Sequence, residues 1–125
     1  MANEKNIIWS DKKRILGMPI SFTRYALSED RLYITVGAIN IKYDEILLYR
    51  VRDISVRRSL WQRITKLGTV TVNTSDKSTP VVVLKNIKLP LVVKELIHEN
   101  AEEMKIKRRI RLGEVVNIDD EDDLD

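Results

Sequence analysis

The spacing of the apolar residues changes from alternation to steps of three and four near Pro90, and that change limits the fold more than any other feature. Before Pro90, apolar and polar residues mostly alternate, as in Arg31–Val36, where Leu32, Ile34 and Val36 share one face. Such alternation is typical of β-strands with one buried face. From Pro90 the apolar residues recur at steps of three and four, which predicts an amphipathic helix. We therefore expect a mostly β domain with one long C-terminal helix.

Short turns are predicted between the early strands. Residues 20–27 are rich in β-formers, and the Ser-Glu-Asp sequence of residues 28–30 favours a turn. Gly37 predicts a tight hairpin, after which residues 39–43 alternate again as a strand. Asp44 and Glu45 are predicted to begin a further turn.

In residues 45–68, EILLYRVRDISVRRSLWQRITKLG, the alternation slips by one residue. Tyr49 and Val51 share one parity, whereas Ile54 and Val56 have the opposite one. A strand that directs both pairs into one core needs an extra residue, which predicts a β-bulge near Arg52 and Asp53.

A short helical turn is predicted at residues 59–64, and its apolar side chains are Leu60, Trp61 and Ile64. We interpret these three side chains mainly as a plug that closes one end of the core, with a partner-binding role as the other interpretation. After the helical turn, residues 69–74 predict a strand with Val70 and Val72 inward. The unbroken apolar run of residues 81–84 predicts a strand covered on both faces.

The predicted C-terminal helix begins at Pro90, a residue favoured at the first helical position. Its apolar stripe turns basic after Met104, at Arg108 and Arg111, so we expect the helix to leave the core, bend or meet another surface beyond about residue 104. The predicted apolar face consists of Leu89, Val92, Val93, Leu96, Ile97, Ala101 and Met104.

Charge divides the chain more clearly than its net value of +3 suggests. Residues 114–125 carry seven acidic groups and no basic one, which leaves 22 basic against 12 acidic groups in residues 1–113. We predict an N-terminal segment (residues 1–18), a domain (19–112) and an acidic, disordered tail (113–125). A basic body favours anionic partners, and the tail is an internal competitor for them.

Three stretches resemble the bacterial pleckstrin-homology (PH) family, formerly described as a domain of unknown function. They are YALSEDRLYITVGAI (25–39), DEILLYRVRDISVRRSLWQRITKLGTVTV (44–72) and VVVLKNIKLPLVVKELI (81–97). The resemblance implies a PH-like barrel of about seven antiparallel strands in a strongly bent sheet, capped at one end by a long amphipathic helix. Many members of the family have no assigned activity, so the resemblance implies a fold and a non-catalytic binding or scaffolding module.

The residues of this chain do not indicate catalysis or metal binding. The chain has no cysteine, one histidine (His98) and no glycine-rich phosphate loop. Metal sites need several converging ligands, so we expect no enzyme, no metal and no cofactor. A phosphoinositide-specific site is also not expected, because the first hairpin turn contains Glu29 and Asp30.

Two binding interpretations are left, and a protein or peptide partner is the preferred one. Arginine and tryptophan are enriched at binding hot spots, and in a groove between a sheet edge and the helix an extended segment can add as a strand. The candidate contact residues are Arg50, Arg52, Arg57, Arg58, Trp61 and Arg63. A homo-oligomer is compatible with this interpretation.

The alternative is peripheral association with an anionic membrane surface through the basic end of the helix. Its candidate contacts are Lys105, Lys107, Arg108, Arg109 and Arg111. Nucleic acid is less favoured, because few aromatic residues are interleaved with these cations. No apolar run approaches the ~20 residues that span a bilayer, and we expect a cytoplasmic protein, at most peripheral to the membrane.

Overall fold

The structure is a computed structural model that describes residues 7–15 and 21–124, with side chains described as far as Gly113. The described residues contain seven strands and two α-helices. Apart from the first strand, which lies in the predicted N-terminal segment, they follow in the order predicted, mostly β and then one long helix. The strands are β1 (Ile7–Lys12), β2 (Thr23–Ser28), β3 (Arg31–Val36), β4 (Lys42–Leu47), β5 (Val51–Arg57), β6 (Leu67–Thr74) and β7 (Val81–Lys88). The helices are α1 (Leu60–Ile64) and α2 (Pro90–Leu124), and a single 3-10 turn (Leu48–Arg50) joins β4 to β5.

The strands form two antiparallel sheets, one in the order β1-β2-β3-β4 and the other in the order β5-β6-β7. The sheets meet where β1 ends beside β7. There the Arg14 N–H donates to the Asn86 carbonyl at 3.0 Å, and the Lys88 N–H donates to Asp11 Oδ2 at 3.0 Å. The architecture is therefore that of a PH-like fold, built from two sheets that approach each other at this edge.

One apolar core fills the space between the sheets and α2. Alternate residues of the strands point into it, among them Leu27, Leu32, Val70 and Val72, all fully buried. Helix α2 adds its buried stripe of Val93, Ile97 and Ala101. Met104 is the last α2 residue packed against this core, whereas Ile106 and Ile110 are exposed. Of the three outcomes predicted beyond residue 104, the helix leaving the core is the one that the structure shows.

The predicted β-bulge is confirmed at the start of β5. Val51 lies opposite Thr74, but Asp53 lies opposite Asn73, so Arg52 has no partner in the register. Beyond the bulge, Ile54 lies opposite Val72 and packs against the core. The extra residue brings both Val51 and Ile54 to the same core, as the parity slip required.

Several strand limits differ from those predicted. Strand β2 begins at Thr23, and Ile20 lies outside the described residues. Residues 37–41 form a loop in which Ile39 is 94% exposed, so the strand predicted at residues 39–43 begins only at Lys42. Asp44 and Glu45 lie inside β4, paired with Ile34 and Tyr33, and the turn predicted there is wrong. Local turn propensity yields to cross-strand pairing at this position.

The apolar run at the start of β7 is covered on one face only. Val82 and Leu84 are buried, whereas Val81 and Val83 are exposed. The two-sided burial predicted for this run is therefore wrong, because β7 belongs to an antiparallel sheet whose outer face has no covering layer in the described structure. Leu89 and Val92, predicted on the buried face of α2, are also exposed.

The predicted boundaries of the domain, at residues 19 and 112, stay predictions. Ile7–Lys12, within the predicted N-terminal segment (1–18), forms β1 and pairs with β2. Helix α2 continues to Leu124, and the side chains of residues 114–125 lie outside the described part of the chain. The disorder predicted for residues 113–125 is therefore not tested.

Candidate binding surfaces

Two reciprocal hydrogen bonds between Ser59 and Gln62 stabilise the first turn of helix α1. Ser59 Oγ accepts from the Gln62 N–H at 3.2 Å, and Gln62 Oε1 accepts from the Ser59 N–H at 2.9 Å. This reciprocal pair is a capping box, which satisfies two backbone donors that the helix leaves without a partner. Lys66, just beyond the helix, has a φ of +62°, the left-handed conformation common at helix ends.

The Gln62 side chain also fixes which face of α1 is buried. Its amide nitrogen donates to Thr69 Oγ1 at 2.8 Å and to Asn86 Oδ1 at 2.7 Å. The Asn86 amide in turn donates to the Arg14 carbonyl at 3.0 Å. Gln62 is buried in this chain of hydrogen bonds, which ties α1 to β6, β7 and the segment after β1.

The apolar residues of α1 consequently point outward. Leu60, Trp61 and Ile64 are 72%, 58% and 66% exposed. The plug predicted for these three residues is wrong, because the capping glutamine occupies the face of the helix that the plug would need. A five-residue helix can bury only one face. In α1 that face holds the Gln62 side chain, whose amide is fully hydrogen-bonded.

A second exposed apolar group lies at the β7–α2 junction. Leu89 has a φ of +50°, unusual for a bulky residue and more so before a proline, and it is exposed together with Leu91 and Val92. A hollow of about 290 Å³ lies between Leu89–Val92 and the side chains of Arg58 and Lys66, the residues on either side of α1. We call the six exposed residues at this end the apolar corner: Leu60, Trp61, Ile64, Leu89, Leu91 and Val92.

Gly68 allows the two parts of this region to approach closely. A Cβ atom added at Gly68 would lie 2.5 Å from Pro90 Cγ, closer than atoms pack, and 3.1 Å from Arg58 Cγ, a tight contact. The Arg58 side chain lies over this point, where its Nε donates to the Leu67 carbonyl at 2.9 Å. The glycine therefore lets α2 begin directly beside the end of β5.

The first set of predicted contact residues divides between the two ends of β5. Arg57, Arg58, Trp61 and Arg63 lie at the corner end. Arg50 lies at the opposite end, roughly 20 Å away along a seven-residue strand. Arg52 lines a groove of about 230 Å³ between β5, an edge strand, and α2, together with Ile54, Lys94 and His98.

The second predicted set is largely engaged by neighbouring side chains. The Lys105 ammonium lies 3.3 Å from Glu102, and that of Lys107 lies 3.4 Å from Glu103. The Arg108 guanidinium lies 4.1 Å from the centre of the Tyr49 ring, on which Arg50 also stacks at 5.2 Å. Arg109 and Arg111 are exposed. The structure thus joins one member of each predicted set, Arg50 and Arg108, around an aromatic ring.

The sequence reasoning missed a hollow of about 610 Å³ on the outer face of the four-stranded sheet. It is lined by aromatic and basic side chains from different strands, including Lys12, Arg24, Tyr33 and Tyr43. Only the register of the sheet places them side by side. In the sequence, these residues occupy alternate strand positions that face away from the core. That pattern indicates exposure but does not by itself indicate a hollow.

Three pKa shifts accompany this geometry. Burial raises the pKa of Tyr25, whose hydroxyl accepts from the Lys85 N–H at 3.2 Å. The hydrogen bond and charge of Glu45 raise the pKa of Arg31, beside the first hairpin turn. Hydrogen bonds from Ser78 lower the pKa of Asp76 in the β6–β7 loop. Each shift has a structural cause in a turn, an ion pair or the core.

The described residues offer neither a metal centre nor a membrane-spanning helix. In that part of the chain no group of three or more acidic or histidine side chains is placed to hold a metal ion, and His98 is exposed on α2. Over the same residues no helix carries a stretch apolar enough to cross a bilayer.

The fold defines the class first: a mostly β, PH-like domain with two antiparallel sheets and a long C-terminal helix. The sequence matches the family described as "Bacterial PH domain" over residues 16–111, and the chain belongs to this family. A comparison with curated proteins found no match. Family membership supports a binding module in general, because PH-like domains are generally non-catalytic.

Proposed function

We propose that this chain is a binding module that takes a protein or peptide partner on the apolar corner. The observation that carries the proposal is the outward orientation of Leu60, Trp61 and Ile64 on a helix held in place by a buried hydrogen-bond network. Exposed apolar surface held on a rigid support favours a partner, and tryptophan is among the residues that contribute most to binding.

The charges around the corner specify the chemistry of the partner. Arg57, Arg58, Arg63 and Lys66 surround α1, and no acidic residue occurs between Asp53 and Asp76. Residues 86–94, which contain the other half of the corner, also lack an acidic residue. A segment that combines apolar anchors with acidic flanking residues would complement this surface in shape and charge. Arg57, Arg58, Trp61 and Arg63 are the residues we expect to contact it.

The membrane alternative at the end of α2 has weaker support. Lys105 and Lys107 are paired with glutamates and Arg108 stacks on Tyr49, so three of the five predicted cations already have partners. Pairing with an acidic neighbour lowers the attraction of a cation to an anionic surface. A phosphoinositide at the first hairpin turn is disfavoured for the same reason, since Arg31 is paired with Glu45 and Asp30.

Peptide display tests the proposal, because the selection itself supplies a ligand for the corner. We expect selection against the full chain to enrich peptides with large apolar and acidic residues. Fluorescence polarisation of a selected peptide should report at least about tenfold weaker binding to Trp61→Ala and Ile64→Ser, consistent with hot-spot losses above about 1.4 kcal/mol. Ile110→Ser is the matched control, because Ile110 is an equally exposed isoleucine on α2.

Equal binding of the selected peptides to Trp61→Ala and to the unchanged chain would contradict the proposal. Self-association of the chain that Trp61→Ala removes would instead identify a second copy as the protein partner of the corner. Sedimentation with phosphatidylglycerol vesicles distinguishes the membrane alternative, which requires that binding depend on Lys105, Lys107, Arg108, Arg109 and Arg111 rather than on Trp61.

A further inference from the structure

The outer face of the four-stranded sheet carries a row of side chains that no single segment contains. Lys12 of β1 lies opposite Arg24 of β2, Arg24 lies opposite Thr35 of β3, and Thr35 lies opposite Tyr43 of β4. The intervening positions of β2 and β3, such as Tyr25 and Leu32, point into the core and are buried. Because alternate residues of a strand face opposite sides, the row faces outward as one surface.

This surface is hollow and has aromatic walls. Its volume is about 610 Å³, within the range typical of small-molecule sites. Small residues such as Ala26 and Thr35 lie between larger ones, while Phe22, Tyr33 and Tyr43 line it as well. Four of the chain's seven aromatic residues line the hollow, since the buried Tyr25 borders it too, and Phe22 and Tyr43 are 61% and 59% exposed.

The backbone of the β3–β4 loop is shaped to close one end of the hollow. Gly37 lines it and has a φ of +117°, a conformation that residues with a side chain rarely adopt. A Cβ atom at Gly37 would lie 2.0 Å from the Asn40 carbonyl oxygen. The loop therefore turns back tightly and brings Ile41 to the edge of the hollow.

The two cations of the row, Lys12 and Arg24, face each other, and neither forms an ion pair with a carboxylate among residues 7–15 and 21–113. The Asp11 carboxylate also lines the hollow, but it is engaged by the Arg14 guanidinium at 2.9 Å and by the backbone N–H groups of Lys12 and Lys88. Like charges directly opposite on paired strands destabilise a sheet, and a bound anion would remove that repulsion.

We propose that this hollow binds a nucleobase carrying a phosphate, either as a free nucleotide or as one unit of a single-stranded nucleic acid. The base stacks on the exposed tyrosine and phenylalanine rings, and the phosphate lies between Lys12 and Arg24. Stacking on aromatic side chains and pairing of phosphate oxygens with cations are the two contacts that such ligands require. Arg24 and Tyr43 lie two strands apart, about 10 Å, which separates the charged and aromatic ends of the site.

A titration of the full chain at low salt tests this site, with adenosine monophosphate, adenosine and inorganic phosphate as separate probes. We expect the nucleotide to bind at least about tenfold more tightly than either part alone, because the base and the phosphate contribute separately. The double variant Lys12→Ser with Arg24→Ser should weaken nucleotide binding about tenfold or more. Tyr43→Ala should weaken the nucleotide and adenosine while leaving phosphate binding unchanged.

Arg109→Ser with Arg111→Ser is the matched control, because it removes two exposed cations from α2, outside the hollow. Unchanged nucleotide binding in Lys12→Ser with Arg24→Ser would overturn the proposal. An equal loss in the α2 control would also overturn it, since attraction would then follow net charge alone. Circular dichroism establishes that each variant is folded.

A fluorescein-labelled ten-nucleotide oligothymidine distinguishes the two sources of the ligand. If it binds at least about tenfold more tightly than thymidine monophosphate, and Tyr43→Ala removes that gain, the source is single-stranded nucleic acid. Similar affinities for both probes assign the site to a free nucleotide. No binding of any of these probes at low salt would overturn the proposal.

Discussion

Two segments of this chain combine apolar and basic residues in nearly the same proportion, yet the fold treats them differently. In α1 and its flanks, the apolar residues Leu60, Trp61 and Ile64 are exposed while a polar residue, Gln62, is buried. At the basic end of α2, Ile106 and Ile110 are exposed too, but no buried side chain anchors that part of the helix among the residues whose side chains are described. The first segment is an exposed surface on a fixed support, and the second is a helix that projects from the domain.

The cations of the two segments also differ, in whether neighbouring side chains engage them. On α2, Glu102 and Glu103 pair with lysines and Tyr49 holds Arg108. Around α1 the sequence offers no acidic residue between Asp53 and Asp76. Basic composition alone therefore does not identify a binding surface. What decides is whether the neighbouring residues already engage the charges and hold the backbone in place.

The largest expected effect tests where along α2 the helix stops packing against the core. Ile97→Ala should lower the free energy of unfolding by about 2–5 kcal/mol, because Ile97 is fully buried in the core between the sheets and the helix. Ile110→Ala, the same change on the exposed part of the helix, should stay within about 0.5 kcal/mol. Urea unfolding followed by circular dichroism measures both. Comparable losses in the two variants would mean that the basic end of α2 is packed rather than projecting.

The next effect tests the support of α1. Gln62→Ala should cost about 1–3 kcal/mol, because it removes the side-chain half of the capping box and leaves Asn86 Oδ1 and Thr69 Oγ1 without the donor they have now. Arg63→Ala, the exposed neighbour on the same helix, is the control. If the two substitutions are equally mild, the buried network does not hold α1, and the contrast with α2 disappears.

The smallest effect concerns the basic end of α2. Arg108→Ala should destabilise the protein by about 0.5–1 kcal/mol through loss of its contact with the Tyr49 ring. Arg109→Ala, which removes the next cation, should have no measurable effect. A double-mutant cycle with Tyr49→Leu isolates the contact. A coupling energy of zero between residues 49 and 108 would show that Arg108 is free to bind another partner.

The sequence was sufficient for the parts of the fold that depend on local pattern. The spacing change near Pro90 separated the strands from α2, and the parity of Val51 and Ile54 located the β-bulge at Arg52. Both signals can be read from the sequence alone, because the face on which a residue lies follows from its position along the strand or helix. The resemblance of residues 25–97 to bacterial PH domains agrees with the family match over residues 16–111.

The sequence was insufficient wherever a residue's environment depends on distant partners. The burial of Gln62 requires Asn86, 24 residues away, and the pairing of Asp44 and Glu45 inside β4 requires β3. Apolar composition predicted that Trp61 would be buried, but the amide network took that face of α1. Local propensity is a weak guide when a tertiary contact competes with it.

By itself, then, the amino-acid order determined a mostly β domain followed by one amphipathic helix, a bulged fifth strand and the absence of cysteine chemistry. Only the tertiary structure decided which apolar residues are exposed and which of the described cations are paired. It also decided that Lys12, Arg24, Thr35 and Tyr43 form one row. The physical reason is that face and period are properties of a segment, whereas burial and cross-strand neighbours are set by the register of strands that the chain brings together from far apart.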